Sequence, residues 1–397
     1  MERTTSRKTY VELCVLFFIH GMAMGAWFVP LGSVLDGHHL QSIKPFAFAA
    51  SAVAALISPL IFGALADRHL APSRVLGGLA TATALTMGLV VLSLRAAAPA
   101  WVVLSLIQLQ ALCLAPTWGL GNSIVFAELS DSKRQFGPIR ALATLGWMAG
   151  CWTVSAFNAD NSSNACVISL CVWLLLALLT VFLPARKPPL NTQRLTVRER
   201  LGLDALVLLR DRNHRVVLLT VALFAMPLAA FYPFTPTHLR ELGLLHTTAW
   251  MSMGQITEII AMLTLPTILH RCHFKTVLSA GLAFGVLRYV LCAMDGKAFV
   301  LAGVTLHGFA FTLMFITVQI YLDQRIDPVW RTRAQSLYSV MLSGIGNLAG
   351  YLGTGAWLAY TTHAGTIDWK LFWGALAGVV ALVFVYFSCT YRKRTVH

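Results

Sequence analysis

Charge is scarce in this chain. Of its 397 residues, 12% are charged and 57% are hydrophobic, whereas a soluble domain is about a quarter charged. So little polar surface cannot cover a water-soluble fold of this size, which argues against a soluble enzyme or a nucleic-acid-binding module. Metal-ligand patterns are missing too. The eight cysteines form no Cys-x-x-Cys pair and no Cys/His zinc spacing, and most lie in apolar runs as small buried hydrophobes. There is no phosphate-binding loop, nucleophile elbow or complete catalytic triad, which argues against an ATP-driven pump and against enzyme chemistry. No cleavable signal is evident: the first apolar run is too long for one and reads as a span.

What the chain has in quantity is apolar length. Mean hydropathy is +0.71. Runs able to cross a hydrocarbon core of ~30 Å recur about twelve times, near 10–36, 43–66, 73–94, 98–128, 137–158, 165–184, 215–239, 248–270, 275–293, 297–323, 332–360 and 369–390. The net charge of +14 follows this alternation. With a cytoplasmic N-terminus, 23 of the 30 lysines and arginines fall on the cytoplasmic side, so the positive-inside rule predicts that both termini are cytoplasmic. The basic balance is mainly a topology signal, with contact between 186–215 and anionic lipid as a secondary use.

Loops are short except for 185–214, which is polar and basic. It divides the chain into an N-terminal bundle of six spans (1–184) and a C-terminal one (215–397). Pro188 and Pro189 end any helix leaving the sixth span, and Thr196 to Leu209 alternates Leu/Val with Arg/Glu at the spacing of an interfacial amphipathic helix. The expected fold class is therefore an all-α polytopic membrane protein of twelve transmembrane helices in two six-helix bundles, a major facilitator arrangement. Between spans two and three, Gly63-Ala-Leu-Ala-Asp67-Arg68 resembles the loop signature of that superfamily and reads as a conformational latch. Glycines crowd spans four, five and eleven (Gly119, Gly121, Gly146, Gly150, Gly344, Gly346, Gly350, Gly353, Gly355), where they permit either close static packing or sliding. Pro116, Pro227, Pro233, Pro236 and Pro266 lie in or near spans and free backbone carbonyls.

Charges inside the hydrocarbon region are costly and call for an explanation. Of the 16 acids, only Glu258 falls near the centre of a span. It shares a helix face with Gln255 at i, i+3, beside Thr257. A carboxyl that alternates between a neutral buried state and a charged state beside a cation can carry a proton; the alternative is a permanent structural Glu. In span five, Arg140, Thr144 and Trp147 share a face at i, i+4, i+7 and would suit a polar, ring-bearing ligand, unless Arg140 snorkels to the nearby boundary. Arg288, beside Tyr289, is expected to make a structural ion pair or to anchor on backbone carbonyls. His20 and His307 could shuttle protons, but neutral, hydrogen-bonded packing is expected of both. Span seven carries Phe231-Tyr232-Pro233-Phe234-Thr235, an aromatic stretch where Pro233 is expected to kink the helix. In span ten, Phe315 and Gln319 (i, i+4) would offer a stacking and hydrogen-bonding surface to a base or a sugar.

Several blocks resemble the nucleoside:proton symporter family of the major facilitator superfamily. They are Ala115-Pro116-Thr117-Trp118-Gly119-Leu120, Phe136-Gly-Pro-Ile-Arg140, Leu201-Gly-Leu-Asp204-Ala, Gln255-Ile-Thr-Glu258, Leu287-Arg288-Tyr289 and Arg333-Ala334-Gln335. The resemblance runs from span four to span eleven. It implies that Arg140, Thr144, Gln255 and Glu258 line a nucleoside site. The family's polar span-seven residues are replaced here by Ala229 and Tyr232, and its span-ten acid by Thr312.

The expectation is a proton-driven importer working by alternating access in the cell inner membrane, monomeric, needing no cofactor beyond the proton as coupling ion and binding no nucleic acid. Its small-molecule ligand, a nucleoside by resemblance, would lie near the midplane between the bundles. Arg140, Thr144, Gln255 and Gln319 would hydrogen-bond it, Tyr232, Phe315 and Trp147 would pack its ring, and Glu258 would bind the proton. The alternatives are a sugar or sugar conjugate as cargo, and a non-transporting membrane sensor that signals through 185–214, a segment too short for an ordinary output domain.

Overall fold

The computed structural model describes residues 6–66, 71–130, 132–184, 196–200 and 203–392. The protein is an all-α polytopic membrane protein. Its helices are α1 (Arg7–Phe28), α2 (Leu31–Gly37), α3 (Lys44–Ala66), α4 (Pro72–Arg95), α5 (Ala100–Glu128), α6 (Ser132–Ala156), α7 (Asn164–Thr180), α8 (Val197–Arg200), α9 (Arg212–Leu228) and α10 (Phe231–Glu241), continuing with α11 (Thr247–Met251), α12 (Met253–Arg271) and α13 (Phe274–Ala293). Next come α14 (Lys297–Thr305), α15 (His307–Phe311), α16 (Thr317–Arg325), α17 (Pro328–Ser339) and α18 (Leu348–Tyr360). A hairpin of β1 (Thr362–His363) and β2 (Thr366–Ile367) leads to α19 (Trp369–Thr390). Its two turn residues, Ala364 and Gly365, both have positive φ, as the twist of a two-residue hairpin requires.

Among the described residues, nine helical stretches are long and apolar enough to cross a bilayer. Every apolar run read from the sequence falls on helix, although prolines interrupt some. Pro30 separates α1 from α2. Pro233 sits in the first turn of α10, where its missing N–H would have had no intrahelical partner anyway. The latch residues Asp67 and Arg68 lie outside the described residues, and Gly63 falls in the last turn of α3.

Two compact units emerge, Met1–Arg194 with His246–Ser252, and Leu195–Leu245 with Met253–His397. In unit 1, α1 and α6 meet backbone to backbone. A Cβ added at Gly21 or Gly25 would strike the backbone of Ala143 or Trp147, and one at Gly146 or Gly150 would strike that of Phe18 or Met22. Lipid tails are as apolar as leucine, so such close van der Waals contact is what holds membrane helices together. The α1 residues Leu13, Leu16 and Phe17 join Leu76 of α4 and Trp173 and Leu176 of α7 in a buried core. Pro116 leaves the carbonyl of Leu112, four residues earlier, without its helical donor; the Ser58 hydroxyl of α3 supplies one at 3.0 Å. Residues 246–252 attach to the end of α6. Thr248 N donates to Asp160 Oδ1 (2.8 Å), Ala249 N to Ser155 Oγ (3.0 Å) and Trp152 Nε1 to Ser252 Oγ (2.9 Å).

In unit 2, Gly346 and Gly350 let the 340–360 stretch close on α9, an added Cβ falling 2.6 Å and 2.7 Å from the Cβ atoms of Ala225 and Ala229. Two π-helical segments, Thr312–Ile316 and Val340–Asn347, interrupt the α-helical path. Of the amphipathic helix expected over Thr196 to Leu209, the described residues show a helical turn at α8 and a 3-10 segment at Leu203–Arg210, while 201 and 202 lie outside them. Side chains compete with the helix there. Thr196 and Glu199 cap one another, Asp204 accepts from Ala205 N at 3.1 Å, and Arg333 pairs with Asp204 at 2.8 Å and Glu199 at 3.5 Å. Asp and Thr that bond nearby backbone favour caps and turns over helix interiors.

Candidate functional site

In unit 1, the α1–α6 seam fixes the height and rotation of the α6 face that carries Arg140, Thr144 and Trp147. Arg140 is half-buried, and its guanidinium carbon lies 4.8 Å from the centre of the Trp118 ring, a cation–π geometry. Trp118 is backed by His20 at 4.9 Å and Phe17 at 5.8 Å. His20 Nε2 is 3.0 Å from Thr117 Oγ1. That hydroxyl spends its hydrogen on Leu114 O at 2.6 Å, so it accepts from His20 and the ring hydrogen sits on Nε2. The expected role of His20 as a hydrogen-bonded packing residue matches this geometry. Thr144 is buried, and Trp147 lies edge-on to Phe28 at 6.2 Å. Sequence reasoning missed Trp118 as a site residue, although it stands two residues after Pro116, the proline inside α5.

In unit 2, α12 carries Gln255, Thr257 and Glu258. Gln255 is buried and donates to Tyr232 Oη at 3.2 Å, which brings two of the expected contacts together. Thr257 Oγ1 donates to Gly254 O (2.9 Å) and to Thr305 O of α14. Gly254 and Gly308 lock α12 against α15. A Cβ on Gly308 would strike the backbone of Glu258 and Gly254, and one on Gly254 would lie 3.1 Å from Val304 O. Glu258 itself is half-buried. The backbone contact of Gly308 with Glu258 and Gly254 thus helps to fix its height in the structure.

Two expectations need correction. Phe315 does not share a surface with Gln319. It is 1% exposed and packs in the core against Phe224 (5.5 Å) and Phe311 (5.3 Å), whereas Gln319 is exposed and donates to Tyr338 Oη at 3.4 Å. The physical reason is the π-helical turn at Thr312–Ile316, which disrupts the i, i+4 relation that a continuous α-helix would give. Arg288 makes neither the ion pair nor the carbonyl anchor among the described residues. Its 1%-exposed guanidinium donates to His307 Nδ1 at 2.6 Å and lies 4.4 Å and 4.9 Å from the ring centres of Phe231 and Tyr289. Aromatic faces and an imidazole lone pair replace the carboxylate.

The model of the nucleoside H+ symporter family matches residues 7–396. The putative nucleoside transporter YegT of Escherichia coli is 32% identical, over 97% of this chain and 94% of its own. The xanthosine permease of the same organism is 27% identical, over 95% of this chain and 94% of its own. Crystal structures of the nucleoside transporter NupG and of a point variant cover 97% of this chain and 100% of theirs, with TM-scores of 0.83 and 0.89 at 23% and 24% identity, and so share its fold. The chain belongs to the nucleoside H+ symporter family.

Proposed function

We propose that this protein is a proton-coupled secondary transporter that carries a nucleoside across the inner membrane by alternating access. The observation that carries the reading is the family match along residues 7–396. The polar groups that transport needs are supplied on α6 and α12, each held by a glycine-lined helix seam. In this reading the fold is the twelve-helix major facilitator arrangement, with bundles at 1–184 and 215–397, a cytoplasmic linker at 185–214 and both termini in the cytoplasm. The protein works as a monomer.

The residues proposed to contact the ligand are Arg140, Thr144 and Trp147 on α6, Tyr232 on α10, and Gln255 and Glu258 on α12. Phe315 and Gln319 drop out of the set. Glu258 binds the proton. A charged carboxylate near the middle of the membrane is costly, so proton binding and release bias the protein between states that differ in how they solvate this group.

Purified protein in proteoliposomes tests the reading. An inward proton gradient drives uphill uptake of a labelled nucleoside, an uncoupler abolishes it, and Glu258→Gln retains exchange but not accumulation. Concentrative uptake by Glu258→Gln refutes the coupling role. Competition by sugars and not by nucleosides reassigns the cargo, and tight binding without flux points to a sensor.

A further inference from the structure

We propose that His307 is a ligand-recognition residue, presenting its Nε2–H to an acceptor atom on the ring of the transported molecule, with Arg288 fixing the tautomer. This rests on the nucleoside-transport reading above. A guanidinium can only donate, so His307 Nδ1, 2.6 Å from Arg288 Nη1, is the acceptor. The ring hydrogen is therefore at Nε2. No second proton can enter at Nδ1 while this bond stands, which makes His307 a fixed neutral donor rather than a proton carrier.

The ring is held on several sides. It lies parallel to Phe231 at 4.0 Å and edge-on to Tyr232 at 5.9 Å, and the Tyr232 hydroxyl takes the amide hydrogen of Gln255. The Cβ and Cδ2 of His307 abut α12: a Cβ on Gly254, one residue before Gln255, would lie 3.2 Å and 3.4 Å from them. His307 as a residue is 4% exposed, and among the described residues Nε2 has no hydrogen-bond partner. A rigid, oriented N–H thus stands among aromatic faces, with Tyr232 between His307 and the Gln255 amide.

Chemistry narrows what such a group can read. An N–H donor selects an acceptor, and a flat nucleobase carries two kinds on its edge, carbonyl oxygens and pyridine-type nitrogens. A site built around a hydrogen bond discriminates sharply against analogues that cannot make it. The bulky aromatic neighbours favour a planar heterocycle over a sugar ring.

Two substitutions separate recognition from scaffolding. The amide of His307→Asn overlays Nδ1 and keeps the acceptor for Arg288, but places nothing at Nε2. His307→Gln reaches the Nε2 position with an N–H. With adenosine and uridine as probes, in proteoliposomes and by calorimetry on full-length protein, His307→Asn should raise KM and Kd about tenfold, with Vmax within about twofold of wild type. His307→Gln should return KM to within about threefold. A wild-type Kd in His307→Asn overturns the proposal, as does an equal loss of Vmax in both variants with KM unchanged, the signature of a merely structural residue. On the wild-type protein, analogues lacking one ring acceptor (7-deazaadenosine, 3-deazaadenosine and the 4-unsubstituted pyrimidin-2-one riboside) should include one bound about tenfold more weakly; equal affinity for all overturns it as well. A wild-type protein that binds neither probe overturns the transport reading instead, a result distinct from each of these.

Discussion

Gly308→Ala probes the contact that helps to fix the height of Glu258. The new Cβ would meet the backbone of Glu258 and Gly254 and lie 2.5 Å from Thr257 Oγ1, where comfortable contact begins at about 3.5 Å. Backbone cannot rotate away, so α12 and α15 must separate by about 1 Å. Overpacking of this kind costs about 1–3 kcal/mol. The Thr257 bond to Thr305 O, which spans the same seam, adds about 1 kcal/mol when lost, while Ala in place of Gly returns up to about 1 kcal/mol of helix propensity. The net expectation is a loss of about 1–3 kcal/mol. In proteoliposomes this should appear as a lower Vmax for proton-driven uptake, and in detergent as a lower unfolding temperature. Gly353→Ala is the control, because a Cβ there meets nothing within 4 Å. If Gly308→Ala matches Gly353→Ala in both assays, the α12–α15 seam does not position Glu258.

Ser58→Ala removes the donor that answers the Leu112 carbonyl and should destabilise unit 1 by about 1 kcal/mol; in a Pro116→Ala background, where the helix regains its own donor, the loss in thermal stability should shrink, and an undiminished loss would refute the pairing. Glu199 is held below the ordinary carboxylate range by hydrogen bonds from Thr196 N and Oγ1 and by the nearby Arg333. Its contribution to docking of α8 is therefore complete above the unfolded carboxylate value of about 4.3 and is lost as pH falls through the lower folded value. Hydrogen exchange across 196–200 should rise in that acidic window in wild type and be independent of pH there in Glu199→Gln, once intrinsic rates are corrected; identical profiles would refute the cap.

Hydrophobic periodicity and positive-charge asymmetry make the helices legible in the sequence alone, because in a bilayer every backbone polar group must be satisfied within the segment. Residues on one helix, such as Gln255 and Glu258 or Arg140 and Thr144, can be grouped by spacing. Contacts between helices cannot. No spacing rule links Arg288 to His307 or Trp118 to Arg140, since helix rotation decides which faces meet. The π-helical turn at Thr312–Ile316 is equally invisible, as nothing in Thr-Leu-Met-Phe-Ile announces an extra residue in the turn. Spacing therefore puts Phe315 on the wrong surface. Glycines at the seams stand out as a pattern, yet only the packed helices distinguish Gly146, pressed against Phe18, from Gly353, which touches nothing.

The cage around Arg288 also constrains how the chain is made. An arginine at the centre of an inserting helix carries a penalty of about 2.5–3.5 kcal/mol on translocon scales, an upper bound for Arg288, which lies toward the C-terminal end of α13. Its relief comes from Tyr289 beside it, from Phe231 on α10 and from His307 on α15. One of these partners is synthesised well before α13 and another only after it. Within unit 2, His307 on α15 is the last of these partners to be synthesised, so the set around Arg288 is complete only once α15 has been made.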